Sequence, residues 1–173
     1  PTSGEDHVNP AKPLSATAKK TLSKYCLNKN ELIASGKVMP TVGFEREIAA
    51  FFEILGRKTK SNMLIVGEAG IGKTALINGF VSRLLHGAVP EFLQGAIVYE
   101  LDLAALSGGA VNKMETEDRL KNVIAELTSI GNAVLVIEGL DKMMDKQGAL
   151  YGTGDILKRE LNKGELLLVC TAT

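Results

Sequence analysis

Two hydrophobic rhythms alternate along most of this chain. Apolar residues three and four apart mark helical faces, and short unbroken apolar runs mark buried strands. Residues 45–55 predict a helix, with Ile48, Phe51, Phe52 and Leu55 on one face, Glu45 and Glu47 in the first turn, and Gly56 following. Residues 74–85 predict a second, carried by Leu76, Ile77, Phe80, Val81 and Leu84 and stopped by Gly87 and Pro90. A third spans 117–130, with Leu120, Val123, Ile124, Leu127 and Ile130 in register and Thr116 as its N-cap. A shorter one covers 155–161. Between them lie apolar strands at 63–66, 96–101, 133–137 and 166–170. Upstream, 22–36 reads as one short helical stretch on Leu22, Leu27, Leu32 and Ile33, ending at Gly36. Residues 1–20 lack periodic apolar positions and read as a tail or linker, and the polar run 57–62 reads as a solvated loop.

Strands without polar alternation, separated by helices, predict an α/β fold: a parallel sheet covered by helices on both faces. Ligands of such sheets bind at the carboxyl ends of the strands. Composition narrows the function classes. Twenty basic and twenty acidic residues give a formal charge of zero, which removes the electrostatic case for nucleic-acid binding. Trp is absent, so base stacking has little support. No apolar run approaches the roughly 20 residues of a membrane span. Cys26 and Cys170 sit among apolar neighbours and read as free buried thiols in a reducing compartment, the cytoplasm or an equivalent such as the plastid stroma. With only His7 and His86, no Cys/His metal cluster forms, and His86 reads as a helix C-terminal residue. The chain begins at Pro1 without a signal-peptide pattern and is expected to be a piece of a longer protein.

One motif carries chemistry. After the 63–66 strand comes Gly67-Glu68-Ala69-Gly70-Ile71-Gly72-Lys73-Thr74, then Ala75 and the helix. This satisfies G-x-x-x-x-G-K-[ST], which chance would produce about 0.02 times in a chain of this composition. Gly67, Gly70 and Gly72 let successive N–H groups turn inward on a phosphate. The helix N-terminus adds unpaired donors and the positive end of its dipole. Lys73 supplies a mobile charge for the outer phosphates, and the Thr74 hydroxyl can complete the coordination of Mg²⁺. Residues 67–75 are therefore the predicted nucleotide-binding set, with ATP and Mg²⁺ as the expected ligands.

Hydrolysis needs an acid at the end of a second strand, often followed by a glutamate that polarises water. The matching run is Ala133-Val134-Leu135-Val136-Ile137-Glu138-Gly139-Leu140-Asp141. Glu138 ends the strand, and Gly139 has no side chain. Either Glu138 takes the magnesium-associated role and no water-activating base follows, or Glu138 or Asp141 is the base. Lys73 and Glu138 are the candidate catalytic residues, and Thr74 and Glu138 the candidate metal contacts.

On these residues, and on Gly36-Lys37, Pro40-Thr41-Val42-Gly43, Gly79-Phe80, Leu101-Asp102-Leu103 and Glu117-Asp118-Arg119-Leu120-Lys121, the chain over 21–173 resembles the first AAA+ module of Clp-type unfoldases and disaggregases, in its large nucleotide-binding subdomain. The resemblance implies a three-layer αβα P-loop NTPase domain. It also implies ATP or ADP held near the interfaces of a homo-hexamer that remodels protein clients, away from nucleic acid and membranes. Thr41 and Val42 would lie against the adenine.

Three departures stand out. The family usually has Asp-Glu where this chain has Glu138-Gly139, so the second acidic motif is degenerate. Its pore loop carries an aromatic residue where this chain has Asn112, within 109–114. Phe44 replaces an arginine beside the adenine segment. Thr171 and Thr173 both qualify as the polar residue near the γ-phosphate, and the arginine fingers and helical lid would follow Thr173. The expected function is an ATPase module of a chaperone ring. The alternative is a hydrolysis-deficient module that uses nucleotide to stabilise the ring.

Overall fold

A computed structural model describes residues 15–37, 44–56, 62–67, 72–162 and 166–173. In chain order the elements are α1 (Ala16–Tyr25), β1 (Cys26–Asn28), α2 (Lys29–Ala34), α3 (Glu45–Leu55), β2 (Asn62–Val66), α4 (Lys73–Leu85), β3 (Ile97–Leu101), α5 (Leu103–Ser107), α6 (Lys113–Ile130), β4 (Ala133–Glu138), α7 (Leu140–Met144), α8 (Thr153–Leu161) and β5 (Leu167–Ala172), with one 3-10 turn at Glu91–Leu93.

The five strands form one sheet in the order β1-β3-β4-β5-β2. β3, β4, β5 and β2 are mutually parallel, while β1 runs antiparallel to β3. The sheet is therefore mixed, not wholly parallel as the apolar runs predict. The 22–36 stretch is correspondingly not one helix: the chain leaves α1 after Tyr25, pairs Cys26 with Leu101, and resumes as α2. α1 also begins at Ala16, inside the stretch read as tail, where alanine and lysine favour helix.

Alternation along the strands divides the core in two. Leu135, Ile137, Leu168 and Cys170 face one way, packing on Leu120, Val123, Ile124 and Leu127 of α6, on Ile156 and Leu157 of α8, and on Leu22 of α1. Val98, Val134, Val136 and Val169 face the other way, against Ile77, Phe80 and Val81 of α4 and Phe51 of α3. The Phe51 and Phe80 rings stack with centroids 5.1 Å apart. α2 docks on this second face through Asn30, whose amide donates to Ala96 O at 3.0 Å and accepts from Val98 N at 2.9 Å.

α6 starts one turn earlier than its apolar pattern predicts. Its cap is Asn112, whose side chain accepts from Glu115 N, and Thr116 is a buried residue of the helix instead. The thiols of Cys26 and Cys170 are free and buried, and burial pushes both up to about 12. His86 caps α4, its Nδ1 lying 2.8 Å from Ser82 O.

Candidate functional site

The parallel order brings the ends of β4 and β5 beside the start of α4. Backbone pairing sets Val66 opposite Ala172 and Glu138 opposite Thr171. Gly67 N donates to Ala172 O at 3.1 Å, closing β2 onto β5 where the phosphate-loop motif begins. Gly72 sits at φ 92°, a left-handed conformation that a side chain would strain, and it turns the chain into α4 with no side-chain cap. The first-turn N–H groups of α4 are thus left for a ligand.

Lys73 and Thr74 occupy that turn. Lys73 Nζ donates to Gly67 O, and to Ala172 O at 3.1 Å. The ammonium lies at the foot of the motif, held by two carbonyls. Thr74 Oγ1 donates to Glu138 Oε1 at 2.5 Å. These two residues are far apart in sequence, and their contact brings the phosphate-loop helix to the acid-tipped strand. Hydroxyl and carboxylate oxygens are a donor set suited to a hard divalent cation such as Mg²⁺.

A cavity of about 490 Å³ opens over this edge, lined by Lys73, Thr74, Glu138, Gly139, Asp141 and Thr173 among others. A larger cleft of about 550 Å³ lies around β1 and α2 and contains none of these groups. Chemistry, not size, makes the strand ends the candidate site.

The remaining sequence candidates separate here. Gly139 is left-handed at φ 97° and caps α7, and its N–H donates to Thr171 O at 3.0 Å. Asp141 faces Thr173, with Oδ1 accepting from Thr173 N and Oδ2 from Thr173 Oγ1, both at 3.4 Å. Thr171 is buried, and its hydroxyl oxygen accepts from Gly139 N at 3.3 Å, whereas Thr173 is exposed beside Asp141. Ala75 follows in the first turn of α4. Glu68, Ala69, Gly70 and Ile71, together with Thr41 and Val42, lie outside the described residues.

Sequence reasoning missed two residues at this edge, Glu100 and Lys29, and named Phe44 only as a departure from the family. Phe44, left-handed at φ 63°, brings its ring to Gly72, where an added Cβ would lie 3.5 Å from Phe44 Cζ. Glu100, near the end of β3, stands opposite Val136, on the same face of the sheet as Glu138, and is paired with Lys29 Nζ at 3.2 Å. Lys29 is only 4% exposed. Burial raises the Glu100 carboxyl above its usual range, Lys29 opposes that, and the Glu138 charge adds to it. No local pattern signals a lysine at the start of a six-residue helix reaching a strand so distant in sequence.

Comparison with known proteins agrees with this geometry. The family described as the SMAX1 nucleotide binding domain matches residues 40–156. The chaperone protein ClpB of Bacteroides thetaiotaomicron is 42% identical over 159 residues, covering 88% of this chain and 18% of that protein. ClpB of Aquifex aeolicus is 37% identical, over 90% of this chain and 16% of its own length. The chain thus spans under a fifth of these relatives. Among solved structures, a closed-state cryo-EM reconstruction of Hsp104 with ATPγS and casein superposes with a TM-score of 0.79 at 38% identity, covering 88% of this chain and 26% of that one. An ADP complex of Saccharomyces cerevisiae Hsp104 gives 0.77 at 39% identity, over 88% and 21%. By the family match and by its own strand order and phosphate-loop helix, the chain belongs to the SMAX1 nucleotide binding domain family, as a Clp-type AAA+ nucleotide-binding module.

Proposed function

We propose that this module binds ATP with Mg²⁺ and works within a Clp-like chaperone ring, coupling nucleotide binding and hydrolysis to the remodelling of a protein client. The observation that carries the reading is the Thr74–Glu138 contact at 2.5 Å beside the Lys73 ammonium. It assembles a phosphate-facing cation and an oxygen donor pair at one edge of the sheet. Lys73 exchanges its two carbonyl partners for phosphate oxygens, and the first turn of α4 supplies N–H donors. Thr74 and Glu138 are the residues that would hold Mg²⁺, which would supply charge neutralisation at the phosphates. The ClpB and Hsp104 likenesses support a ring of copies and a polypeptide client for the whole protein. Among the described residues no helix is long and apolar enough to cross a membrane.

Isothermal titration of the chain with ATP and Mg²⁺ tests the binding step. Lys73→Ala is expected to weaken affinity about 50–100-fold, the loss of a strong charge-assisted contact. Equal affinity in both proteins would overturn the assignment. Phosphate release from a longer, ring-forming protein tests the hydrolytic step. Negligible turnover there, with binding intact, would move the reading to a module that uses nucleotide only to hold the ring.

A further inference from the structure

We propose that Phe44 is a positioning residue for the nucleotide, a role that rests on the nucleotide-site reading above. Its ring braces the left-handed turn at Gly72 and so fixes the aim of the first-turn N–H groups of α4. The immediate surroundings of Phe44 do not explain it. The residue is left-handed at φ 63°, and among the described residues no other non-glycine has a positive φ. That conformation crowds a bulky side chain, and asparagine or glycine would adopt it more readily. Nor does Phe44 serve α3, which it caps with no side-chain hydrogen bond. A short polar residue there would satisfy a first-turn N–H. The core does not claim the ring either, since Phe44 is half-buried and belongs to neither apolar cluster.

The ring reaches Gly72. A Cβ at Gly72 would lie 3.5 Å from Phe44 Cζ, an ordinary van der Waals distance, and among the described residues no atom beyond the chain neighbours comes closer to that point. The contact joins two helix starts. Phe44 O accepts from Ile48 N at 2.8 Å to open α3, and Gly72 O accepts from Leu76 N at 2.9 Å to open α4. Further along, the same helices meet where Phe51 stacks on Phe80 and Phe52 lies 6.0 Å from that ring. Contact at two levels makes α3 a splint along α4, fixing its first turn as well as its middle. Glycine permits the φ of 92° that turns the chain into α4, but nothing in a glycine enforces it. The Phe44 ring supplies the enforcement. Gly72 also lines the nucleotide cavity beside Lys73 and Thr74, whereas Phe44 does not. The ring therefore acts through the turn and not on the ligand.

The decisive variant is Phe44→Asn, which removes the ring and keeps a residue at ease in the left-handed conformation. Its melting temperature is the folding control, and Phe44→Gly takes its place if the asparagine variant does not fold. Affinities for ATP and for inorganic tripolyphosphate, both with Mg²⁺, are measured side by side. A turn that keeps its binding geometry only about a tenth of the time weakens both ligands equally, about tenfold. Wild-type affinity for both in the folded variant overturns the proposal. A loss for ATP alone overturns it too, because the ring would then act on the base. If the wild-type chain binds neither ligand, the nucleotide reading fails by itself. In that case, or if tripolyphosphate alone does not bind, the bracing is decided by hydrogen exchange at Leu76 N–H, which reports the cap at Gly72. Exchange about tenfold faster in the folded variant supports it, and exchange equal to wild type overturns it.

Discussion

The nucleotide edge of the sheet and the tip that leads into α6 use the same side-chain types to opposite ends. At the nucleotide edge, polar groups converge on a cavity: Lys73 on two carbonyls, Thr74 on Glu138, Asp141 on Thr173. At the tip they turn inward to fix backbone. Arg119 Nη1 donates to Leu106 O at 3.0 Å and Gly108 O at 2.8 Å, and its Nη2 to Glu115 Oε1 at 3.0 Å. Glu115 Oε2 accepts from Val111 N, and Asn112 Oδ1 accepts from Glu115 N, both at 2.9 Å. The bond from Val111 N, reinforced by Arg119, holds the Glu115 carboxyl below its usual range. With the polar groups so engaged, the tip exposes apolar ones, Val111 at 88% and Met114 at 68%. One region gathers its polar groups around a cavity, and the other spends them on backbone shape.

The sharpest way to break this contrast is Arg119→Ala. Its side chain is only 14% exposed and satisfies two carbonyls that no neighbouring group replaces in the hydrogen-bond pattern. The guanidinium also lies 5.4 Å from the centre of the Tyr25 ring, tying the tip to α1. Removing it is expected to lower unfolding free energy by about 2–3 kcal/mol, read from urea denaturation. ATP affinity, set at the other region, should stay within about twofold of wild type, a shift under 0.5 kcal/mol. A tenfold loss of nucleotide binding would show that the two regions are mechanically coupled.

A smaller effect is expected from a backbone position where the nucleotide edge also depends on shape. Gly139 turns β4 into α7 at φ 97°, and the nearest atoms an added Cβ would meet belong to the flexible Lys142 side chain, at 3.3 Å. The obstacle to a side chain is therefore conformational. Gly139→Ala and Gly139→Glu should each cost about 1–2 kcal/mol in thermal unfolding, and by the same amount as each other. Gly139→Glu alone should raise phosphate release in a ring-forming protein, by restoring a carboxylate after Glu138. Equal release from the two variants would mean that the strained turn aims this side chain away from the phosphates.

The same contrast explains what could be read from the chain. The long helices and central strands were legible because each buries a whole stripe or run: Ile48, Phe51 and Leu55, or Val134 through Ile137, leave few alternatives. The phosphate-loop residues were legible because glycine, lysine and threonine at fixed spacing reflect a local geometry. α5 and α7, five residues each, were not, since a helix of little more than one turn shows no periodicity. The start of α6 was missed although Asn112 and Glu115 form a capping pattern, because no buried apolar residue precedes Leu120 on that helix. The Lys29–Glu100 pair was invisible for a different reason: only folding makes them neighbours. The antiparallel β1 belongs with it, a three-residue strand fixed by its partner β3 rather than by its own sequence.

The smallest effect is expected where the tip is most conspicuous. Replacing both Val111 and Met114 by serine removes the two most exposed large apolar side chains among the described residues. Neither belongs to either core cluster, so no cavity forms and no buried partner is orphaned. Val111 contributes its N–H to Glu115, a bond that survives any side-chain change other than proline. Serine is a weaker helix former than methionine, but Met114 sits in the first turn, where serine is well tolerated. Unfolding free energy and ATP affinity should therefore both stay within about 0.5 kcal/mol of wild type. A melting curve and a titration on one double variant measure the two together. A larger stability loss would mean these side chains are packed against something in solution. No loss means that the fold maintains, with Arg119, Glu115 and Asn112, an apolar surface for which it has no structural need.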